Sequence, residues 1–242
     1  MPAEQPTILA TSGGLRRSSR IDFEFAPLLT HAVDLAGVVG RKPRLCQIGT
    51  ALGDQRSFNA NFSEAGEAAG VEVRHLNLFP MPPTADLRDY VLSCDVVWVC
   101  GGSVANLLAV WRTHELDVVL REAWQSGVVL TGVSAGSLCW HQGGPTDSFG
   151  PDLRVITNGL GFLPYGNGVH FDSEEQRRPT VLRAVAEGVL PDTYCTDDGT
   201  GVLYRGTEPV EFLSERPKAG VYLVQREGED KSVEHALDVR RL

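Results

Sequence analysis

No stretch of the chain is apolar for long enough to span a bilayer. The leading run Met1-Pro2-Ala3-Glu4-Gln5-Pro6 also lacks the basic-then-apolar order of a signal peptide, so the cytoplasm is the expected location. Cysteine is scarce: five residues, Cys46, Cys94, Cys100, Cys139 and Cys195, with no Cys-x-x-Cys pair. An odd count set in apolar stretches argues against a disulfide framework or a zinc site and reads as reduced, buried small hydrophobes. Basic clusters are few, namely Arg16-Arg17 with Arg20, and Arg177-Arg178. With a formal net charge of -9, that argues against a nucleic-acid-binding face, which needs clustered Lys and Arg. Internal repeats, low-complexity tracts and linkers are missing as well. The 242 residues, 42% of them hydrophobic, therefore read as a single domain over 1–242.

What is present is an alternation of short Val/Ile/Leu-rich runs with longer amphipathic segments. The runs at 7–10, 44–48, 71–76, 95–99, 128–132, 201–204 and 221–225 predict strands. Segments 25–36, 55–69, 105–119 and 116–125 carry helical periodicity. Several runs are apolar on both faces, as in a mainly parallel sheet covered by helices on both sides, which gives a three-layer α/β sandwich. The last two runs are separated by Gly, Pro and charged residues and suggest an antiparallel edge or hairpin. The charged tail 227–242 is expected to be partly mobile.

In such a sheet, function belongs to the loops at the carboxyl ends of strands. Three glycine-containing turns stand there: Thr11-Ser12-Gly13-Gly14, Cys100-Gly101-Gly102-Ser103 and Gly132-Val133-Ser134-Ala135-Gly136. The last is Gly-x-Ser-x-Gly between a buried strand and a helix. Its glycines permit a turn that lifts a serine hydroxyl clear of the backbone, and the helix start below favours negative charge. Ser134 is the candidate nucleophile. The Ala135 amide and a second donor from Gly101-Gly102 are candidates for an oxyanion hole.

A serine nucleophile needs a base within hydrogen-bond reach. Of the six histidines, His31 and His114 sit in amphipathic helical patterns, His75 on a strand and His235 in the tail. His141 follows the elbow in its own helix and should point away. That leaves His170, in the glycine-bearing loop Tyr165-Gly166-Asn167-Gly168-Val169-His170. The acid that orients it comes from Asp147, Asp152, Asp172, Asp197 or Asp198. Asp172 is too near in sequence to reach around the ring. Asp147 gives the order Ser, Asp, His found in elbow hydrolases, although a turn-capping aspartate fits the same residue.

Taken together, Cys100-Gly101-Gly102-Ser103-Val104-Ala105-Asn106, Gly132-Val133-Ser134-Ala135-Gly136-Ser137, Thr146-Asp147-Ser148-Phe149-Gly150, Gly159-Leu160-Gly161-Phe162-Leu163-Pro164 and His170-Phe171-Asp172 resemble the S51 serine peptidase family. That family includes peptidase E, an aspartyl dipeptidase, and cyanophycinase. The resemblance implies a fold like the class I glutamine amidotransferases, with serine where those enzymes place cysteine. It also implies cleavage of dipeptides with N-terminal aspartate, without metal or cofactor. Carried over, the nucleophile falls on Ser134, the base on His170 and the oxyanion donors on Gly102 and Ala135. The acid falls on Asp147, with Asp198 as rival. Two segments depart from the family pattern: Cys100 and Ser103-Val104 replace a third glycine and Asn-Thr, and Tyr165–Val169 replaces a proline-histidine approach.

The expected partner is a small acidic dipeptide, with no nucleic acid and no membrane; a homodimer is compatible with the reading. An aspartyl side chain calls for a cation, and a planar guanidinium suits a carboxylate. Arg177 and Arg178 are the candidates, a solvated charged turn being the alternative. Glu174 or Glu175 could take the substrate amine. Two other functions stay open: a cyanophycinase-like hydrolase of β-aspartyl or isopeptide substrates, which is expected to need an added polymer-holding domain, and a non-catalytic amidotransferase-like binding module.

Overall fold

A computed structural model describes residues 3–242. The chain begins with β1 (Thr7–Thr11), β2 (Leu15–Arg17), β3 (Phe23–Phe25), α1 (Pro27–Asp34), β4 (Arg44–Ile48), a 3-10 turn (Thr50–Leu52) and α2 (Arg56–Ala68). It continues through β5 (Glu72–Leu76), α3 (Leu87–Leu92), β6 (Val96–Val99), α4 (Val104–Thr113), α5 (Leu116–Gln125) and β7 (Val129–Val133). Beyond Ser134 come α6 (Ala135–Leu138), β8 (Gly144–Thr146), β9 (Arg154–Ile156), β10 (Gly166–Gly168), α7 (Arg177–Ala186) and β11 (Thr193–Thr196). The chain closes with β12 (Thr200–Arg205), β13 (Glu208–Ser214), β14 (Val221–Arg226), β15 (Ser232–Leu237) and β16 (Arg240–Arg241).

The main sheet is eight-stranded in the order β16-β13-β12-β1-β7-β6-β4-β5. Strands β1, β7, β6, β4 and β5 run parallel, while β12 is antiparallel to β1 and β13 to β12. The central strands are apolar on both faces because both are covered. Val97, Val99 and Leu130 pack with Leu107, Trp111 and Leu120 of α4 and α5. On the other face Val96, Trp98 and Val129 pack with Leu29 and Val33 of α1 and Phe62 of α2. This is the expected three-layer α/β sandwich with a mainly parallel sheet.

Three local expectations change. The 105–119 segment is not one helix: Glu115, at φ 54°, breaks it into α4 and α5. The 201–204 run becomes β12, paired with β1 and β13, but 221–225 leaves that sheet. It becomes β14 of a separate four-stranded sheet, β10-β11-β14-β15. The tail is not loose either; β15 pairs antiparallel with β14 from Ser232 opposite Arg226 to Leu237 opposite Val221. Its partly apolar alternation fits a half-covered sheet, which its charge concealed. Helix α7 covers this second sheet through Val181, Ala184 and Val185 against Cys195 and Val224.

Two pairings position the site. The carboxyl ends of β1, β6 and β7 lie at one edge, and antiparallel β12 begins at that edge, with Thr11 opposite Gly201. Strands β10 and β11 run parallel, Gly168 opposite Cys195, so the loops that follow them emerge together. No described helix is long and apolar enough to cross a membrane.

The elbow depends on close packing. A Cβ on Gly136 would lie 2.2 Å from the Val99 carbonyl oxygen, and one on Gly132 would lie 2.5 Å from the Gly136 carbonyl oxygen. Backbone lines both clashes, so no side chain can rotate away. Gly136→Ala is expected to destabilise the protein by about 1–3 kcal/mol, read as a fall of several degrees in Tm in a thermal unfolding scan. An unchanged Tm would show that α6 can move off β6.

Candidate active site

Ser134 stands between β7 and α6 with φ 57° and ψ -115°, a sparsely populated conformation for any residue but glycine. Such a backbone costs about 1–3 kcal/mol and persists only where the surroundings enforce it. Here the α6–β6 contact holds one side. On the other, the Ser134 amide donates to the Thr11 carbonyl at 3.2 Å. The residue is half-buried, with its hydroxyl at the edge where β1, β6 and β7 end.

The loop after β6 wraps this serine. A Cβ on Gly101 would sit 3.1 Å from the Ser134 Cβ, so the backbone approaches the nucleophile as closely as glycine allows. Gly102 has φ 130°, and a Cβ there would lie 2.3 Å from the Ala51 carbonyl oxygen. The Ser103 amide donates to that same carbonyl at 3.0 Å, anchoring the loop to the 3-10 turn. Among the described residues the Gly102 and Ala135 amides donate to no protein acceptor. Cys100, which replaces a glycine of the family pattern, is buried. Burial pushes its thiol up to about 12, and its Sγ accepts from Gln47 Nε2 at 3.0 Å, so it serves as packing.

His170 follows β10 and also has a positive φ, 53°. Its Nδ1 lies 2.6 Å from Asp198 Oδ1, with the two side chains 23% and 33% exposed. The imidazole partner is therefore Asp198, and the expected Asp147 is not in contact with His170. The cause is register. Because β10 and β11 are parallel neighbours, the residue two past Gly168 meets the loop that follows Thr196, whatever the order along the chain. Asp198 is itself held: its amide donates to Asp172 Oδ1 at 2.8 Å, and its carbonyl accepts from Arg216 Nη1 at 3.2 Å. Asp172 thus supports the acid instead of serving as one. Asp197 is buried, raised by that burial, and spent on the Gly220 amide at 2.8 Å. Asp152 lies exposed in the turn before β9.

Asp147 is exposed in the β8–β9 turn. Neighbouring Thr146 and Ser148 share a hydroxyl hydrogen bond of 2.8 Å, and the Ala105 amide donates to Ser148 Oγ at 3.3 Å. The turn is closed by those hydroxyls and by the Gly150 amide, which donates to the Asp147 carbonyl at 3.0 Å. Asp147 shares a shallow acidic depression with Glu174, Glu175 and Gln176.

Two of the other histidines are engaged elsewhere. His141 is fully buried, with Nδ1 3.0 Å from the Ser137 carbonyl, and burial depresses it to about 4. His75 bridges Gln47 and Ser63 at 2.6 Å on each side. The two expected substrate arginines also have partners. Arg177 is 3% exposed and bonded to the Pro145 carbonyl and Glu174, so it cannot clamp a ligand carboxylate. Its position on the inner face of α7, under β8, was concealed by the charge density of the segment. Arg178 lies over Phe171 and Tyr222 at 4.3 and 4.9 Å and pairs with Glu234, but its side chain stays 41% exposed.

Chemically, this places a serine on a strained turn, two unengaged amides beside it, and an imidazole whose Nδ1 is fixed by a carboxylate. That arrangement leaves the other ring nitrogen to exchange a proton, the requirement for acyl transfer. Asp198→Asn should lower kcat by roughly 10³- to 10⁴-fold through the wrong tautomer, while Asp147→Asn should leave kcat close to wild type. The reverse ranking in steady-state kinetics would return the acid to Asp147.

Comparison with known proteins places the chain in a family. The family model for Peptidase family S51 matches residues 8–211, from β1 into β13. The uncharacterized peptidase YgaJ of Bacillus subtilis (strain 168) is 38% identical over 183 residues, 76% of this chain and 78% of that protein. The crystal structure of a peptidase from an acI-B1 Actinobacterium superposes with a TM-score of 0.69 at 16% identity, covering 98% of this chain and 99% of that one. A putative peptidase E protein from Listeria monocytogenes EGD-e superposes with a TM-score of 0.59 at 18% identity, covering 84% and 96%. At such identities the two structures speak for the fold, whereas the family model matches a range that contains Ser134, His170 and Asp198. The chain belongs to peptidase family S51 and is a serine-type peptidase.

Proposed function

We propose that the chain is a dipeptidase for peptides with N-terminal aspartate, acting through an acyl-enzyme on Ser134. The observation that carries this reading is the 2.6 Å contact between His170 and Asp198 at the sheet edge that presents Ser134. Ser134 Oγ attacks the scissile carbonyl carbon while His170 Nε2 takes its proton and delivers it to the leaving amine. Asp198 holds the Nδ1–H tautomer and balances the imidazolium charge. The Gly102 and Ala135 amides receive the oxyanion. Water then attacks the ester, with His170 again as base, and Ser134 recovers its proton.

The preference for aspartate is supported by the sequence resemblance and by a matched structure described as a putative peptidase E. Arg178 is the arginine proposed to meet the substrate carboxylate. It packs on Phe171, the residue after His170, and an incoming carboxylate would exchange with Glu234.

A dipeptide panel tests the reading. Asp-Leu should be hydrolysed, with Leu-Leu and β-aspartyl-arginine left intact. Ser134→Ala should reduce kcat by a factor on the order of 10⁶ with an unchanged unfolding curve. Preferred cleavage of β-aspartyl-arginine would shift the assignment to isopeptide hydrolysis, and undiminished turnover by Ser134→Ala would remove the serine from the chemistry.

A further inference from the structure

Ser12 has no part in the chemistry above, yet with its neighbour Thr11 it bonds the turns that carry the nucleophile, the base and the acid. Its side chain is buried, 4% exposed, in the loop after β1. The preceding carbonyl, on Thr11, accepts the Ser134 amide at 3.2 Å. Ser12 Oγ accepts the His170 amide at 3.2 Å and shares a 2.7 Å hydrogen bond with Thr196 Oγ1. The Ser12 carbonyl accepts the Gly199 amide at 2.8 Å, and its own amide donates to the Thr200 carbonyl at 2.8 Å. Nucleophile, base and acid come from three different segments, and this one dipeptide is bonded to all of them.

The hydroxyl differs from the backbone contacts in one respect. Backbone bonds survive a change to alanine or threonine, whereas the Oγ bond to His170 depends on residue type. His170 needs that bond because its φ of 53° is a left-handed conformation that a histidine adopts only under constraint. A hydroxyl has one proton and two acceptor sites, so it can receive the His170 amide while remaining paired with Thr196. Without it, the His170 amide loses its partner and the turn can relax toward an ordinary φ. The imidazole, at the far end of the side chain, would then swing by more than the backbone moves.

We propose that Ser12 is a positioning residue of the peptidase, its hydroxyl setting the placement of the His170 imidazole between Ser134 and Asp198. The proposal rests on the reading of those three residues as the triad. It deepens that reading by extending the machinery to a residue that touches neither substrate nor reacting atom. A residue of purely structural importance would alter the melting temperature and leave the turnover of the folded enzyme alone; a positioning residue does the opposite.

Steady-state kinetics on Asp-Leu, together with proton NMR of the full-length protein, tests this. Ser12→Ala should lower kcat roughly 10- to 100-fold, as for a small misplacement of a catalytic group, with KM and Tm near wild type. Ser12→Thr, which keeps the hydroxyl, should recover most of the rate. Thr196→Val, which removes only the partner of Ser12 Oγ, should give a smaller fall. In the NMR spectrum, the exchangeable proton of the His170–Asp198 contact should appear downfield of the amide envelope in wild type. In Ser12→Ala it should broaden or shift. If wild type shows that proton and turns over substrate while Ser12→Ala matches it in kcat, this inference alone fails. If wild type shows neither, the triad reading fails and takes the inference with it.

Discussion

Where α6 crosses the end of β6, the Val99 carbonyl oxygen would lie 2.2 Å from a Cβ on Gly136, and the rest of the site follows from that contact. Two backbones so close leave the chain between β7 and α6 a single route, and Ser134 takes it with φ 57°. The strain is of order 1–3 kcal/mol, a small part of what a domain of this size can stabilise through its core. That core lies directly beneath. Trp140 and His141, just past α6, are wholly buried, and Trp140 packs on Trp111 and Phe162. The turn cannot relax without opening this cluster, so the serine hydroxyl is held ready before any substrate arrives.

The second constraint is the meeting of two sheets. The main sheet presents Ser134 and the glycine loop after β6. The smaller one, through the parallel pair β10 and β11, presents His170 and Asp198. The chain leaves β11 at Thr196 and enters β12 at Thr200, so the acid sits on the short link between the sheets. Base and acid are thus set in register by strand pairing, while the nucleophile is set by helix packing. Those two frameworks are joined by the β1 loop, bonded to both groups, and by the Ser137 hydroxyl of α6, which donates to Asn167 Oδ1 of β10 at 2.9 Å.

Much of this was legible in the sequence, for identifiable reasons. Short apolar runs such as 95–99 and 128–132 specify buried strands, and the rule that sites lie at the carboxyl ends of parallel strands picked out three loops that do converge. The Gly-x-Ser-x-Gly pattern singled out Ser134, and elimination singled out His170. What failed was inference from spacing along the chain. Asp147 lies between serine and histidine in order, but the acid's place is decided by the pairing of β10 with β11, two strands of three and four residues with too little apolar pattern to be seen. Had Thr193–Thr196 been recognised as a strand, the carboxyl-end rule would have pointed to Asp198. Arg177 misled for a related reason: a charged side chain on the covered face of a helix looks, in sequence, the same as one on the exposed face.

The central claim is that Ser134 is a nucleophile activated by His170. Mass spectrometry of the folded protein after reaction with a fluorophosphonate addresses it most directly. The account predicts one adduct, on the peptide that contains Ser134, formed far more slowly in His170→Ala. An adduct on another residue, or the same labelling rate without His170, would contradict it.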